Sequence, residues 1–158
     1  MRSFVIIAIL SCLAACQPEQ KGITGLWKLE SMMVKDSLDN WSVWRDGMNG
    51  YLLYDGQGHV SLTLSVEGYE DSPLHYPNFD TSIPIEALKH RTGYYSYVGN
   101  YSVDEELSEV THQRLSHSNP KDWGKEVTRK FSIQGDSLII VPKESENASL
   151  RLTWTRAK

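Results

Sequence analysis

"GYLLYDGQGHVSLTLSV", residues 50–66, is the stretch on which the fold turns. From His59 to Val66 the apolar side chains occupy every second position, Val60, Leu62, Leu64 and Val66, with Ser61, Thr63 and Ser65 between them. A period of two puts one set on each face of an extended chain, as in a strand that covers a core on one side only. The run before it, 50–54, meets Asp55-Gly56-Gln57-Gly58, a glycine-bearing turn that folds two strands into a hairpin. Tyr54 closes the first of these strands and joins the candidate interior residues.

Working outward, further strand patterns fall at 25–35, 41–45, 94–103, 107–116, 127–134, 137–141 and 150–156. Turn signals separate them: Asp39-Asn40, Asp104-Glu105-Glu106, Asn119-Pro120-Lys121-Asp122 and Gly135-Asp136. About nine strands joined mostly by short turns predict an all-β protein, an up-and-down antiparallel β-barrel. One segment departs from the pattern. Residues 81–91 carry hydroxyls at Thr81 and Ser82, a proline near the first turn, basic residues at the end and Gly93 as a stop, which predicts one short helix. The preceding stretch, 67–80, holds Tyr69, Tyr76, Phe79 and two prolines. A loop this long in a compact domain serves either as a lid or as a fixed plug. Residues 25–158 form one domain of a size that supports one core.

The N-terminus has its own chemistry. After Met1-Arg2-Ser3, an apolar run from Phe4 to Leu10 continues through Ser11-Cys12-Leu13, too short to span a bilayer and suited to an export signal. Leu13-Ala14-Ala15-Cys16 then resembles a bacterial lipobox. The resemblance implies that residues 1–15 are a lipoprotein signal peptide, that Cys16 is lipidated, and that 16–24 are a tether. Gln17 after the cysteine implies, by the same resemblance, the outer membrane of a bacterial cell envelope. Cys12 would leave with the signal and Cys16 would become a thioether, so the mature chain would have no disulfide and would depend on its core. The chain holds 16 Lys and Arg against 20 Asp and Glu, a formal net charge of −4. That balance lacks the electrostatic footprint of a nucleic-acid binder.

The stretches "GLWKLES", "GYLLYDGQGHVSLTL", "GYYSYVGNYSVDE", "VTHQRLSHSNPKDWGKEVTRKFSIQGDSLII" and "RLTWTR" resemble, in this order, the lipocalin-like domain family, small calycin-type barrels of bacteria and fungi. Gly25-Leu26-Trp27 matches the Gly-x-Trp signature of those barrels. The resemblance implies a barrel with an interior cavity and no single activity. It also implies a floor closed by Trp27, with Arg156 from the last strand stacked across it. The aromatic insert at 67–80 departs from the family pattern and leaves the barrel mouth undefined.

The interior face carries unusual polarity. Val127, Arg129, Phe131 and Ile133 alternate on one face, which points Arg129 inward among apolar side chains, where a charge needs a partner. The strand before it admits two readings. Either Val110, His112 and Arg114 face inward or Thr111, Gln113 and Leu115 do, and the first agrees with the resemblance. Tyr95, Tyr97 and Tyr101 share a face with Gly99. His112 and His117, five apart on a strand, are expected on opposite faces, and the five histidines show no close-spaced metal pair. No nucleophile elbow, phosphate loop or dinucleotide fingerprint is present, and no metal or cofactor is implied.

These residues yield a leading expectation: a monomeric, membrane-tethered barrel that binds a small, largely apolar or amphipathic molecule. Arg129, His112, Arg114, Tyr97, Tyr95 and Tyr54 would orient its polar or acidic head. Two alternatives stand beside it. One is a small enzyme of isomerase or hydrolase type, with His112 as general acid or base and Arg129 stabilising negative charge. The other is a structural envelope lipoprotein with a filled core.

Overall fold

The computed structural model describes residues 22–74, 82–143 and 149–158. The signal segment, the lipobox with Cys16 and most of the tether lie outside the described residues. The strands are β1 (Gly25–Lys35), β2 (Trp41–Val43), β3 (Met48–Tyr54), β4 (His59–Val66), β5 (Tyr94–Asp104), β6 (Glu109–His117), β7 (Glu126–Gln134), β8 (Ser137–Pro142) and β9 (Ser149–Arg156). One helix, α1 (Ile85–Arg91), precedes β5.

Eight of these strands close a barrel. β1 and β3 to β9 pair antiparallel in sequence order, and β9 returns to pair with β1 from Trp27↔Arg156 to Lys35↔Ser149. β2 is the ninth, an appendage on the upper part of β1 through Met33↔Val43 and Lys35↔Trp41. Its strand ends at Val43, where the sequence pattern ran on to Arg45, because Trp44–Asp46 turn into a single 3-10 turn.

The 50–66 hairpin shows how sequence sets register. Asp55 Oδ1 accepts from the backbone N–H of Gln57 at 2.7 Å and of His59 at 2.9 Å. Gly56 and Gly58 take the positive φ angles of 77° and 100° that the turn requires. The N–H bond from His59 above all holds the Asp55 carboxyl at a pKa of about 2. The turn pairs Leu52 with Leu62 and Tyr54 with Val60. These four are buried in the core with Trp27, Leu138, Leu152 and Trp154.

The alternating course sorts the connections. The turns β3 to β4, β5 to β6 and β7 to β8 lie with the chain's first described residues at one end, the floor. The longer connections, β1 to β3, β4 to β5 and β6 to β7, lie at the mouth. At the floor, Trp27 has no exposed surface, and its Nε1 donates to the carbonyl of Ile23 at 2.7 Å. The Arg156 guanidinium sits 4.1 Å from the Trp27 ring centroid and donates to the carbonyls of Thr24 at 2.7 Å and Gly22 at 3.2 Å. A cation over an indole contributes about 0.5–2 kcal/mol depending on desolvation.

Two expectations need correction. His112 and His117 are both buried, because the ladder slips by one residue between them. Val98 pairs with Ser116 but Gly99 with Arg114, which leaves Leu115 as an extra residue and resets the alternation of β6. Gly99 permits the close approach: a Cβ there would stand 2.1 Å from the carbonyl oxygen of Gln113. The helix also begins later than its pattern. Pro84 is its N-cap and no side chain caps it; Thr81, one of the two hydroxyl residues expected there, lies outside the described residues. Thr92, not Gly93, is its C-cap, with Thr92 Oγ1 donating to the Lys89 carbonyl at 2.7 Å. The helix is held through buried Ala87 and through His90, stacked on Tyr69 at 4.3 Å between centroids.

Candidate functional site

A cavity of about 400 Å³ runs from the barrel interior toward the mouth. Its lining is divided. Leu52, Leu62, Leu64, Ile140, Leu152 and Trp154 give an apolar wall from β3, β4, β8 and β9. Tyr95, Tyr97, His112 and Arg129 give a polar wall from β5, β6 and β7. A filled core is therefore excluded. None of the described residues of the 67–92 segment lines this cavity, and residues 75–81, with Tyr76 and Phe79, lie outside the described residues.

His112 is the hub of the polar wall. Strand alternation turns it inward between Val110 and Arg114, and it is 1% exposed. Its Nε2 lies 2.8 Å from the Tyr54 hydroxyl, and its Nδ1 lies 2.6 Å from the Tyr97 hydroxyl and 3.2 Å from Arg129 Nη1. A guanidinium only donates, so Nδ1 is the accepting nitrogen, and the ring proton stands on Nε2, donated to the Tyr54 oxygen. Burial first, then the positive charges of Arg129 and Arg114, lower the His112 pKa to about 2. The ring is neutral and both nitrogens are engaged, which leaves no lone pair for a general base. Burial likewise raises the Tyr54 hydroxyl well above its usual range, with the neighbouring Tyr97 adding to it and Arg129 opposing it.

The structure thus brings Tyr54, Tyr97, His112 and Arg129 into one hydrogen-bonded cluster, but not all of them reach the cavity. Tyr54 is fully buried behind His112, edge-on to Tyr101 at 4.8 Å. Arg114 is 4% exposed and does not line the cavity. Its guanidinium lies 5.2 Å from the Tyr97 ring centroid, and Nη1 stands 3.9 Å from Asp122 Oδ1. Arg129 does line it, with its guanidinium 5.9 Å from the same ring. Tyr95 packs edge-on against Tyr97 and His117. Burial and then Arg114 lower the pKa of His117, whose Nδ1 accepts from the backbone N–H of Asn119 at 2.8 Å.

Sequence reasoning missed the residues nearest the mouth: Met32, Trp44, Arg45, Met48, Pro142 and Leu150. Trp154 could have been found, because it shares an inward face with Leu152. Arg45 could not, because its place depends on a single left-handed residue, φ 49°, inside the 3-10 turn. Among the described residues no group of three His, Cys, Asp or Glu side chains stands close enough to hold a metal ion.

Comparison with known proteins gives one strong result. The family model of the lipocalin-like domain matches residues 24–157. No curated protein matches the chain. Among solved structures, a lipocalin-like protein from Bacteroides uniformis is similar at 12% identity and a TM-score of 0.46, covering 85% of this chain and 97% of that one. A redesigned β-barrel is similar at 10% identity and a TM-score of 0.42, covering 85% and 91%. A mutant of the fluorescent protein UnaG is similar at 14% identity and a TM-score of 0.37, covering 86% and 96%.

Proposed function

The chain belongs to the lipocalin-like domain family, and from that premise we propose that it binds a small, largely apolar molecule with a polar or acidic head inside the barrel. The observation that carries this reading is the division of the cavity into one apolar and one polar wall. Its volume of about 400 Å³ falls in the range of sites for small ligands, roughly 300–1,000 Å³. Apolar area removed from water supplies affinity at about 25 cal/mol per Å². Arg129, held by His112 and flanked by Tyr97 and Tyr95, receives the head. Tyr54 and Arg114 serve this wall from behind, the first by accepting the Nε2 proton of His112 and the second by holding its charge beneath the Tyr97 ring. Catalysis by His112 as a base is disfavoured, because both its nitrogens are committed.

Arg129→Met tests the reading. The variant should stay folded and bind a fluorescent fatty acid about ten- to a hundredfold more weakly, since a hydrogen bond to a charged group contributes about 1.5–3 kcal/mol. A large loss of stability with unchanged binding would make Arg129 a core strut and refute the ligand reading.

The lipobox at Leu13–Cys16 supports a tether to the bacterial envelope through acylated Cys16, at the outer membrane. Stable anchoring needs more than one acyl chain, as a processed lipoprotein has. Cys16→Ser should abolish incorporation of labelled fatty acid and release the protein from the detergent phase. A labelled, membrane-bound variant would count against the anchor.

A further inference from the structure

We infer that the ligand carries two acceptor groups, and that Arg45 at the barrel mouth receives the second. This rests on the reading of Arg129 as the holder of an acidic head, and it adds the second end of the molecule.

Three observations carry it. The described side chains lining the cavity include two guanidiniums, Arg129 and Arg45, and no carboxylate, amide or aliphatic hydroxyl. The other polar groups there are tyrosine hydroxyls, indole N–H groups and a neutral imidazole whose nitrogens are both engaged. Such a lining is rich in donors and poor in acceptors, so it fits a molecule that mainly accepts.

The two arginines also spring from backbone positions at different depths. Arg129 is three residues into β7 from its mouth end, about 10 Å down the strand at roughly 3.3 Å per residue. Arg45 lies in the turn between β2 and β3, before the first residue of β3. An elongated molecule with an acceptor at each end suits two arginines set at different depths of the cavity.

Finally, Arg45 is placed at a conformational cost. Its backbone is left-handed, φ 49° and ψ 43°, a region that L-residues other than glycine, asparagine and aspartate seldom occupy. Strain of this kind concentrates at binding and catalytic sites. The guanidinium that it positions over the cavity has the Trp44 ring 5.4 Å away and no ion pair among the described residues. Arg129 by contrast is built into the hydrogen-bonded cluster of the polar wall.

Dodecanoate and dodecanedioate share a chain and differ by one terminal carboxylate, which makes them the probes. Their affinities for the wild-type protein and for Arg45→Asn are read by displacement of a fluorescent fatty acid. Asparagine tolerates the left-handed backbone, so the variant removes the charge without reshaping the turn. The diacid should bind wild type about tenfold more tightly than the monoacid. Arg45→Asn should erase that preference and leave the monoacid unchanged. Equal affinities in wild type, or an equal loss for both acids in Arg45→Asn, would overturn the second anchor while the single-head reading stands. If neither acid displaces the probe from wild type, both readings fall together.

Discussion

The floor and the mouth of the barrel are made from the same strands and follow opposite rules. At the floor, connections of four, four and two residues join β3 to β4, β5 to β6 and β7 to β8. Trp27 is fully enclosed, and Arg156 ties the first described residues across it. At the mouth, long connections expose Leu38, Trp41, Val43, Ile85, Leu88 and Trp123, and one of them, between β1 and β3, brings Trp44 and Arg45 to the cavity. Among the described residues of the floor turns the corresponding exposed side chain is Leu107. A tight turn commits its residues to closing the ladder and leaves little surface to vary. A long connection is free of that duty and can carry recognition.

The contrast can be broken at its strongest point first. Trp27→Ala should cost about 3–5 kcal/mol in denaturant melts, as expected for deleting a buried indole. A loss well under 1 kcal/mol would mean that the floor is held by the ladder alone and that the ring is incidental.

A second measurement probes the wall between the two ends. The His112 pKa falls from 6.5 to about 2 in the folded barrel. Below pH 6.5 the unfolded chain therefore takes up a proton that the folded chain refuses. Stability should fall as the pH drops through that window, by up to about 1.4 kcal/mol per pH unit. Melts at pH 7 and pH 5 should thus differ by roughly 2 kcal/mol, with His117, also lowered, acting in the same direction. His112→Gln should shrink the difference. Equal stability of the wild type at both pH values would show that His112 charges in place and that the polar wall is wet.

The smallest effect belongs to the mouth. Trp41 is 38% exposed and lies under Arg151 at 4.5 Å and Lys35 at 6.0 Å. Trp41→Ala should cost less than about 1 kcal/mol in stability. A loss comparable to that of Trp27→Ala would erase the distinction between the ends.

Much of the fold was legible because strand alternation and turn chemistry are local. Val60, Leu62 and Leu64 could be assigned to the core from their spacing, and Asp55 with two glycines marked the hairpin. The inward direction of Arg129 could be read in the same way, whereas spacing left two readings for His112 and the family resemblance chose between them. His117 could not, because its face depends on a bulge opposite Gly99, and the bulge exists only once β5 and β6 are paired. The helix start escaped for a related reason: Thr81 and Ser82 had the composition of a cap, but Pro84 set the entry.

The sequence by itself determined an all-β barrel, its hairpin register and the inward direction of Arg129, because a period of two and a turn's φ requirements act within a few residues. Tertiary structure alone decided which inward residues meet the void. Tyr54 and Arg114 face inward like Arg129, yet one lies behind His112 and the other beneath the Tyr97 ring. Arg45, from a turn with no periodicity, lines the cavity instead. Alternation fixes only the face of a strand. The depth and reach of a side chain follow from barrel closure, which brings strands distant in sequence around one space.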